Sequence, residues 1–502
     1  MGEITAFVLY FVAVLTIGVW FFVKTKDNGE KEYFLGGRSM GPWVTAMSAQ
    51  ASDMSAWLLM GLPGSILAFG LGQAWIGIGL AIGTALNWIF VAKRLRKFSK
   101  ASGDSITLPQ YLSNRFLTEN PTLKIICAVV FLISFTIYVA SAFSAGTTVF
   151  TTLFPKLESS EAMVIFAVII LVYTFMGGYK AVCWTDFIQG LLMLVALLAV
   201  PIVIVCTKTM DVTALSNIYS YTDADGKIVE CVFTSNLFGA SWQEIVTGLS
   251  WGLGYFGMPH ILVRFMAIEK PSMVKKSATV AIIWVAVTLF AAIVIAYFGR
   301  MFLAEELLTV GNQKLVFIEF ARRLFPGFVA GLLLAAIIAA SMSTADSQLL
   351  VASSSFTSDI YKPIIRKQAS DKEIMWVGRI VVVIVSVVAF FIASSKGSGA
   401  QAIMNMVENA WGLFGAAFGP VVILSLFWKR FTYKGAVAGI IAGAVVDLVW
   451  LWKLTALTGI YEILPGFVVG LIASVIFSLI DKKPSAEVEK IYEIALDKSN
   501  DE

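Results

Sequence analysis

An all-α protein that crosses a membrane many times is the fold class this chain predicts, on three observations. Of its 502 residues, 58% are hydrophobic and only 14% charged, with a mean hydropathy of +0.83. A soluble domain has about 25% charged residues, so this chain has too few to keep a soluble surface wet. The apolar residues also come in runs of the length that spans a bilayer, about 20 residues. Finally, Lys and Arg gather on alternate connections between those runs, the pattern of a polytopic protein with one basic face. Lipid offers unpaired backbone groups no partner, so every run is predicted as a helix.

In chain order the runs lie near 4–23, 41–70, 74–93, 124–153, 162–179, 183–207, 239–263, 276–299, 325–356, 374–394, 401–428, 435–453 and 459–480, about 13 spans. The first lacks a preceding basic region and a small-residue cleavage site, so it is expected to be a retained helix. The second, fourth and ninth exceed a simple span and must tilt, break or continue beyond the bilayer. Basic residues such as Arg38, Lys93 to Lys100, Lys270, Lys275, Lys276, Lys362 and Lys429 mark the cytoplasmic connections. The amino terminus is therefore expected outside and the charged tail, 481–502, in the cytoplasm. One transmembrane domain, 1–480, accounts for the rest. The longest outer loop, about 208–238, holds the turn signal "TDADGK".

Several function classes fall away. The net charge of +4 reflects topology markers and implies no nucleic-acid partner. Cys127, Cys183, Cys206 and Cys231 have neither metal-ligand spacing nor a disulfide framework. His260 is the sole histidine, which excludes a site needing two imidazoles and leaves an intramembrane hydrolase without a convincing base.

Polar residues at membrane depth carry the functional signal. Asp53 stands in the second run, inside "SAQASDMSAWLLMGLPG", Ser48 to Gly64. A charge there costs roughly 3 kcal/mol on insertion scales. The ninth run holds "ASMSTADSQ", in which Ala340, Ser343, Thr344 and Ser347 share one helix face. Two readings stay open. Small and hydroxylated residues let helices approach and bond across an interface. Hydroxyls, carbonyls and a nearby carboxylate are also what a hard, dehydrated cation requires. Without a histidine or thiol cluster, that cation would be an alkali ion.

The seventh run adds "SWGLGYFGMPH", Ser250 to His260. Trp251, Tyr255 and Pro259 recur every four residues, a face that is either an aromatic core stripe or part of a binding site. Glycines at 252, 254 and 257 weaken the helix, and Pro259 removes a backbone donor. Freed amides and carbonyls at such a break can bind a small zwitterion. Trp57 and Tyr138 are further aromatic candidates.

With "SDMSAWLLMGLPG", "FTIYVAS", "WTDFIQG", "GLGYFGMPHILVRFMA" and "AAIIAASMSTADSQLL" in this order, the chain resembles the sodium/solute symporter family over nearly its whole length. "SDMSAWLLMGLPG" favours the proline branch over the sugar and pantothenate branches. The resemblance implies a LeuT-type core of two inverted five-helix repeats, about 41–207 and 239–428. It implies a transporter in the cell membrane, not an enzyme, working as a monomer with no cofactor beyond sodium as coupling ion. The implied substrate is L-proline, the alternative another small amino or organic acid. Carried onto these positions, the sodium site uses carbonyls of Ala51, Met54 and Ala340 and hydroxyls of Ser343 and Thr344, with Asp53 associated. Some members use a second sodium site, which would fall on Asp186, Asp346 and Ser347. Ser55, Trp57, Tyr138, Trp251, Tyr255 and Pro259 would line the substrate site. Three residues depart from the branch pattern: Met258 stands where a glutamine can occur, and Asp346 and Glu408 are acids where neutral residues are expected.

Overall fold

Two of the expected spans are broken in the middle, and the breaks organise the molecule. The computed structural model describes residues 2–24, 29–176, 178–223, 226–396, 400–497. Among them, ten helices are long and apolar enough to cross a membrane, from Gly2–Phe21 to Ile463–Ile480. The remaining three apolar runs form shorter helical pieces: Ser159–Met176 and the two broken segments.

The first broken segment comprises Pro42–Met54, a wide turn at Trp57–Gly61, and Leu62–Phe69. The interruption falls at Ser55, with φ +40° and ψ −176°, outside the helical region. A positive φ is uncommon for a residue with a Cβ and marks a position held by its surroundings. The second comprises Trp242–Ser250, a tight turn at Trp251–Phe256, and Pro259–Ala267. Pro259 sits in the first turn of the last piece, where its missing N–H costs nothing. The other long expectations resolve differently. The fourth run is a single helix, Thr122–Leu153, and the ninth, Gly327–Phe356, continues into a wide-turned stretch, Thr357–Ile365.

The two broken segments are wrapped by long helices. Gly327–Phe356 packs on Thr122–Leu153, Tyr179–Thr207 and Gly2–Lys24, while Ala400–Phe427 packs on Trp251–Phe256 and Thr122–Leu153. Tyr433–Lys453 and Ile463–Ile480 form a close pair, with Gly435, Gly439 and Gly443 against Gly470, Ser474 and Ser478. Small residues four apart let two membrane helices approach closely. Between Tyr179–Thr207 and Trp242–Ser250, the polar loop contains a two-stranded hairpin, Tyr219–Thr222 against Ile228–Cys231. Of the "TDADGK" turn, positions 224–225 lie outside the described residues.

Basic clusters far apart in sequence share one face. Arg38 donates through Nε to Asp104 (2.8 Å) and through Nη2 to the Ser105 carbonyl (2.7 Å), and it also bonds the Met266 carbonyl. Burial alone would raise the Asp104 carboxyl, but Lys31 and Arg38 outweigh it and hold the group below the usual carboxylate range. The same face carries Ala486–Leu496, tied by Lys429 to Glu489 and Glu493 at 2.9 Å each. The opposite face carries Glu3, paired with Arg322 at 3.0 Å, and the 208–238 loop.

Candidate functional site

The break at Ser55 exposes backbone. The last four carbonyls of a helix have no intrahelical donor, and here those belong to Ala51, Ser52, Asp53 and Met54. The Trp57 amide turns instead to Ser55 Oγ (3.1 Å) and the Leu58 amide to the Ser55 carbonyl (3.4 Å). Across from them lies the hydroxylated face of Gly327–Phe356. Ser343 Oγ donates to the Ala51 carbonyl at 2.8 Å and lies 3.2 Å from the Ala340 carbonyl. Thr344 is fully buried, and its Oγ1 has no hydrogen-bond partner. Ala51, Ala340 and Ser343, three of the five residues implied as sodium ligands, thus meet at one buried junction, with Thr344 buried next to Ser343 in the chain and Met54 buried at the end of the Ala51 helix. The donor set is all oxygen, which fits a hard cation and no soft metal. An orphaned hydroxyl in such a place fits an absent ligand.

Asp53 points to the aromatic side of the break. Its Oδ2 accepts from the Tyr255 hydroxyl at 2.6 Å, and its backbone carbonyl accepts from Tyr138 at 3.5 Å. Ser55, Trp57, Tyr138, Trp251 and Tyr255 line one small cavity with Asp53, Leu80, Val407 and Trp411. Trp57 stacks on Trp251 with ring centres 5.6 Å apart, and Trp57 Nε1 reaches the Met404 sulfur at 2.7 Å. The cavity measures only about 10 Å³, room for about one water. It is a closed cage. Pro259 is not among its lining residues. The every-fourth-residue reasoning fails there because Trp251–Phe256 is a tighter helix than the α-helix, ending at Gly257 before Pro259 opens a new one.

The glycines of this segment serve close approach. A Cβ at Gly254 would lie inside the Trp411 indole, and one at Gly252 would strike the backbone of Gly79 and Gly83. Trp411 Nε1 donates to the Trp251 carbonyl at 2.8 Å and its ring meets Tyr255 edge-on at 5.1 Å. Sequence reasoning missed Trp411; a tryptophan in an apolar run carries no mark of its own, and only Gly254 hinted at a large neighbour.

The remaining acids meet a cation the sequence did not announce. Asp186 Oδ2 accepts from Ser48 Oγ at 2.6 Å and from Arg264 Nη2 at 3.2 Å. Arg264 is buried, donates through Nη1 to the His260 carbonyl (2.8 Å) and bonds the Ser347 hydroxyl through Nη2. Ser347 Oγ in turn lies 3.3 Å from Asp346 Oδ1. One guanidinium therefore stands among Asp186, Asp346 and Ser347, while Asp186 Oδ1 and Asp346 Oδ2 have no partner.

A broken helix, hydroxyls on its carbonyls and a closed aromatic cage are the architecture of an ion-coupled carrier. Residues 33–443 match the sodium:solute symporter family. The chain belongs to that family. Among curated relatives, a sodium/proline symporter of Escherichia coli (strain K12) is 41% identical over 491 residues, covering 97% of this chain and 95% of the relative. A sodium/proline symporter of Staphylococcus aureus (strain JH9) is likewise 41% identical, covering 96% and 93%. Among solved structures, the substrate-bound, outward-open form of a Na+-coupled sialic acid symporter superimposes with a TM-score of 0.72 at 21% identity, covering 97% of this chain and 99% of that one. Mhp1, a nucleobase-cation-symport-1 family transporter, in a closed conformation, gives 0.55 at 15%, covering 94% and 99%. The predominantly helical LeuT-type fold is thus common to this symporter and both neighbours, and the chain is a carrier, not an enzyme.

Proposed function

We propose that the chain takes up L-proline into the cell together with sodium, by alternating access. The observation that carries the proposal is the Ser55 break, which places an all-oxygen junction on one side and an aromatic cage on the other. In this reading Ala51, Met54, Ala340, Ser343 and Thr344 hold the ion. Asp53 links ion to solute: it sits one residue from Met54 in the chain and accepts from Tyr255 in the cage. Proline occupies the cage of Ser55, Trp57, Tyr138, Trp251 and Tyr255 once Trp57 and Trp251 part, since the closed form has no room for it. The curated relatives named sodium/proline symporters support this solute.

The energetics allow one ion per solute. A sodium ion moving down about 100 mV supplies about 2.3 kcal/mol, and a tenfold gradient about 1.4 kcal/mol more. Together these support several-hundred-fold accumulation. We place the single coupling ion at Ser343 and Thr344, and read Asp186, Asp346 and Ser347 as a cluster balanced by Arg264. The basic face with Arg38 and the Ala486–Leu496 helix is placed in the cytoplasm, the amino terminus outside. The chain carries the whole site, so a monomer suffices.

Counterflow in proteoliposomes with a panel of amino and organic acids tests the solute, and Asp53→Asn tests the coupling. Proline is expected to drive counterflow best, and Asp53→Asn to raise the half-saturating sodium sharply. Equal counterflow by unrelated acids, or unchanged sodium dependence in a well-expressed variant, refutes the assignment.

A further inference from the structure

The basic face holds a cavity that the transport site does not use. It measures about 230 Å³ and lies between the Lys93–Ala101 helix, the connection at Pro271 and the docked Ala486–Leu496 helix. Arg96, Lys97 and Lys100 line it together with small and aliphatic residues, Ile494 among them, and no carboxylate does. Three cations around one space repel one another unless an anion lies between them.

Arg96 carries the signal. Only 4% of its surface is exposed, and its Nε and Nη2 donate to the carbonyls of Ile268 (2.6 Å) and Glu269 (2.9 Å). Its Nη1 is buried and has no acceptor. A buried guanidinium nitrogen without a partner is costly and fits an absent ligand. Its surroundings do not cancel the charge. Arg38 adds a second guanidinium that repels Arg96, and the acid felt there, Asp104, is already bonded by Arg38 and Lys31. Lys97 Nζ donates to the Asp497 carbonyl at 2.7 Å, and among the described residues the Lys100 ammonium has no carboxylate partner. Glu269 and Asp497, each two positions from a lining residue, have exposed side chains.

Size and depth narrow the ligand. The volume is several times the roughly 30 Å³ of one water, so a lone chloride leaves most of it empty. A phosphate group with its ester or its hydration shell fills it, and guanidinium and ammonium groups are the usual partners of phosphate oxygens. The expected span ends at Lys93, so residues 96–100 stand roughly one to two helical turns beyond the hydrocarbon, at the level of lipid headgroups.

We infer that this cavity binds a phosphate-bearing anion, with Arg96 Nη1 and Lys100 as donors and Lys97 adding charge. The anion fastens three pieces together: the Lys93–Ala101 helix, the C-terminal helix that supplies Ile494, and, through Arg96, the connection that follows Pro259–Ala267. It therefore braces the inner end of the second broken segment, whose other end carries Trp251 and Tyr255. A lipid headgroup and a soluble phosphate present the same oxygens to the site.

The test is thermal unfolding of the purified full chain, in two arms that separate these sources. In neutral detergent, potassium pyrophosphate is exchanged against potassium chloride at fixed ionic strength; in nanodiscs, phosphatidylglycerol is added to phosphatidylcholine. A saturable rise in Tm is expected, as for any ligand of the folded state. A rise with pyrophosphate alone makes the ligand a soluble phosphate, with phosphatidylglycerol alone a headgroup, and with both any phosphate ester. Lys100→Gln, at an exposed position, should raise the half-saturating anion about tenfold, the worth of one charged hydrogen bond. Arg96→Lys keeps the charge, loses the fork and should weaken binding similarly. Ala101→Phe fills the cavity with all charges intact, should abolish the response, and with Lys100→Gln decides the matter where Arg96→Lys fails to fold. No saturable rise in either arm overturns the site, as does a rise that Lys100→Gln and Ala101→Phe leave unchanged. A rise that appears only after Asp501→Asn and Glu502→Gln makes the chain's own acidic end the occupant and overturns it too.

Discussion

Thr344→Val separates an ion ligand from a packing residue by the sign of its effect. The hydroxyl of Thr344 is buried and unpartnered, and valine has nearly the same shape. Leaving a buried polar group unsatisfied costs about 1–3 kcal/mol, so in sodium-free buffer the variant should be more stable than wild type by an amount in that range. If the hydroxyl binds sodium, the same change removes a contact to a charge, worth about 1.5–3 kcal/mol, and sodium affinity falls roughly 10- to 100-fold. The two effects oppose each other and can be read in one titration of thermal stability against sodium in detergent. At sodium 100 times its Kd, wild type gains about 2.7 kcal/mol from the ion. A site weakened about thirtyfold gains under about 1 kcal/mol at that concentration. Half-saturating sodium for uptake should rise in parallel. A variant that is stabilised without sodium yet keeps the full sodium-dependent gain would refute the ligand role and leave Thr344 as an interface residue.

Trp251→Ala should weaken proline binding by roughly 1–3 kcal/mol through lost ring contact, with sodium binding in the absence of proline changed far less; equilibrium binding of labelled proline checks it, and normal affinity would make the stack with Trp57 mere core. Arg264→Gln removes the guanidinium that contacts Asp186 and Ser347 and should destabilise the protein by about 3–5 kcal/mol, the cost of an unpaired buried charge. Adding Asp186→Asn should recover part of that loss, and strictly additive effects in the double-mutant cycle would refute the pairing; the sodium-to-proline charge ratio should stay at one throughout. Asp104 is held below the usual carboxylate range by Lys31 and Arg38 against its partial burial, so the contact contributes above the unfolded value near 4 and is lost as pH falls through the depressed one. Since Asp104 is 43% exposed, the effect is at most about 1 kcal/mol. Amide exchange across 99–107, corrected for its intrinsic pH dependence, should rise a few-fold below pH 4, and Asp104→Asn should show the rise already at pH 7.

Composition and run length were enough to make this a helical membrane protein, because the cost of burying backbone and charge in lipid acts on each segment separately and leaves little freedom. The hydroxyls at Ser343 and Thr344 and the acid at Asp53 were legible for the same reason: a polar group at membrane depth stands out against its own segment. Arg264 was not legible, since four residues beyond His260 it reads as the edge of a run, and only folding sets it beside Asp186, 78 positions away. Trp411 stayed silent because an apolar side chain in an apolar run looks the same whether it faces lipid, core or ligand. The resemblance put Pro259 in the substrate site, but Trp251–Phe256 does not keep the α-helical period that would set it on one face with Trp251 and Tyr255, and it falls outside the cage lining. Which helix breaks, and at which residue, was a tertiary decision: Ser55 has no intrinsic preference for a positive φ, and its conformation is set by the neighbours packed around it. What the sequence alone determined is the solvent each segment requires; which polar groups meet across the breaks is decided by packing, because those contacts join residues that no local energy connects.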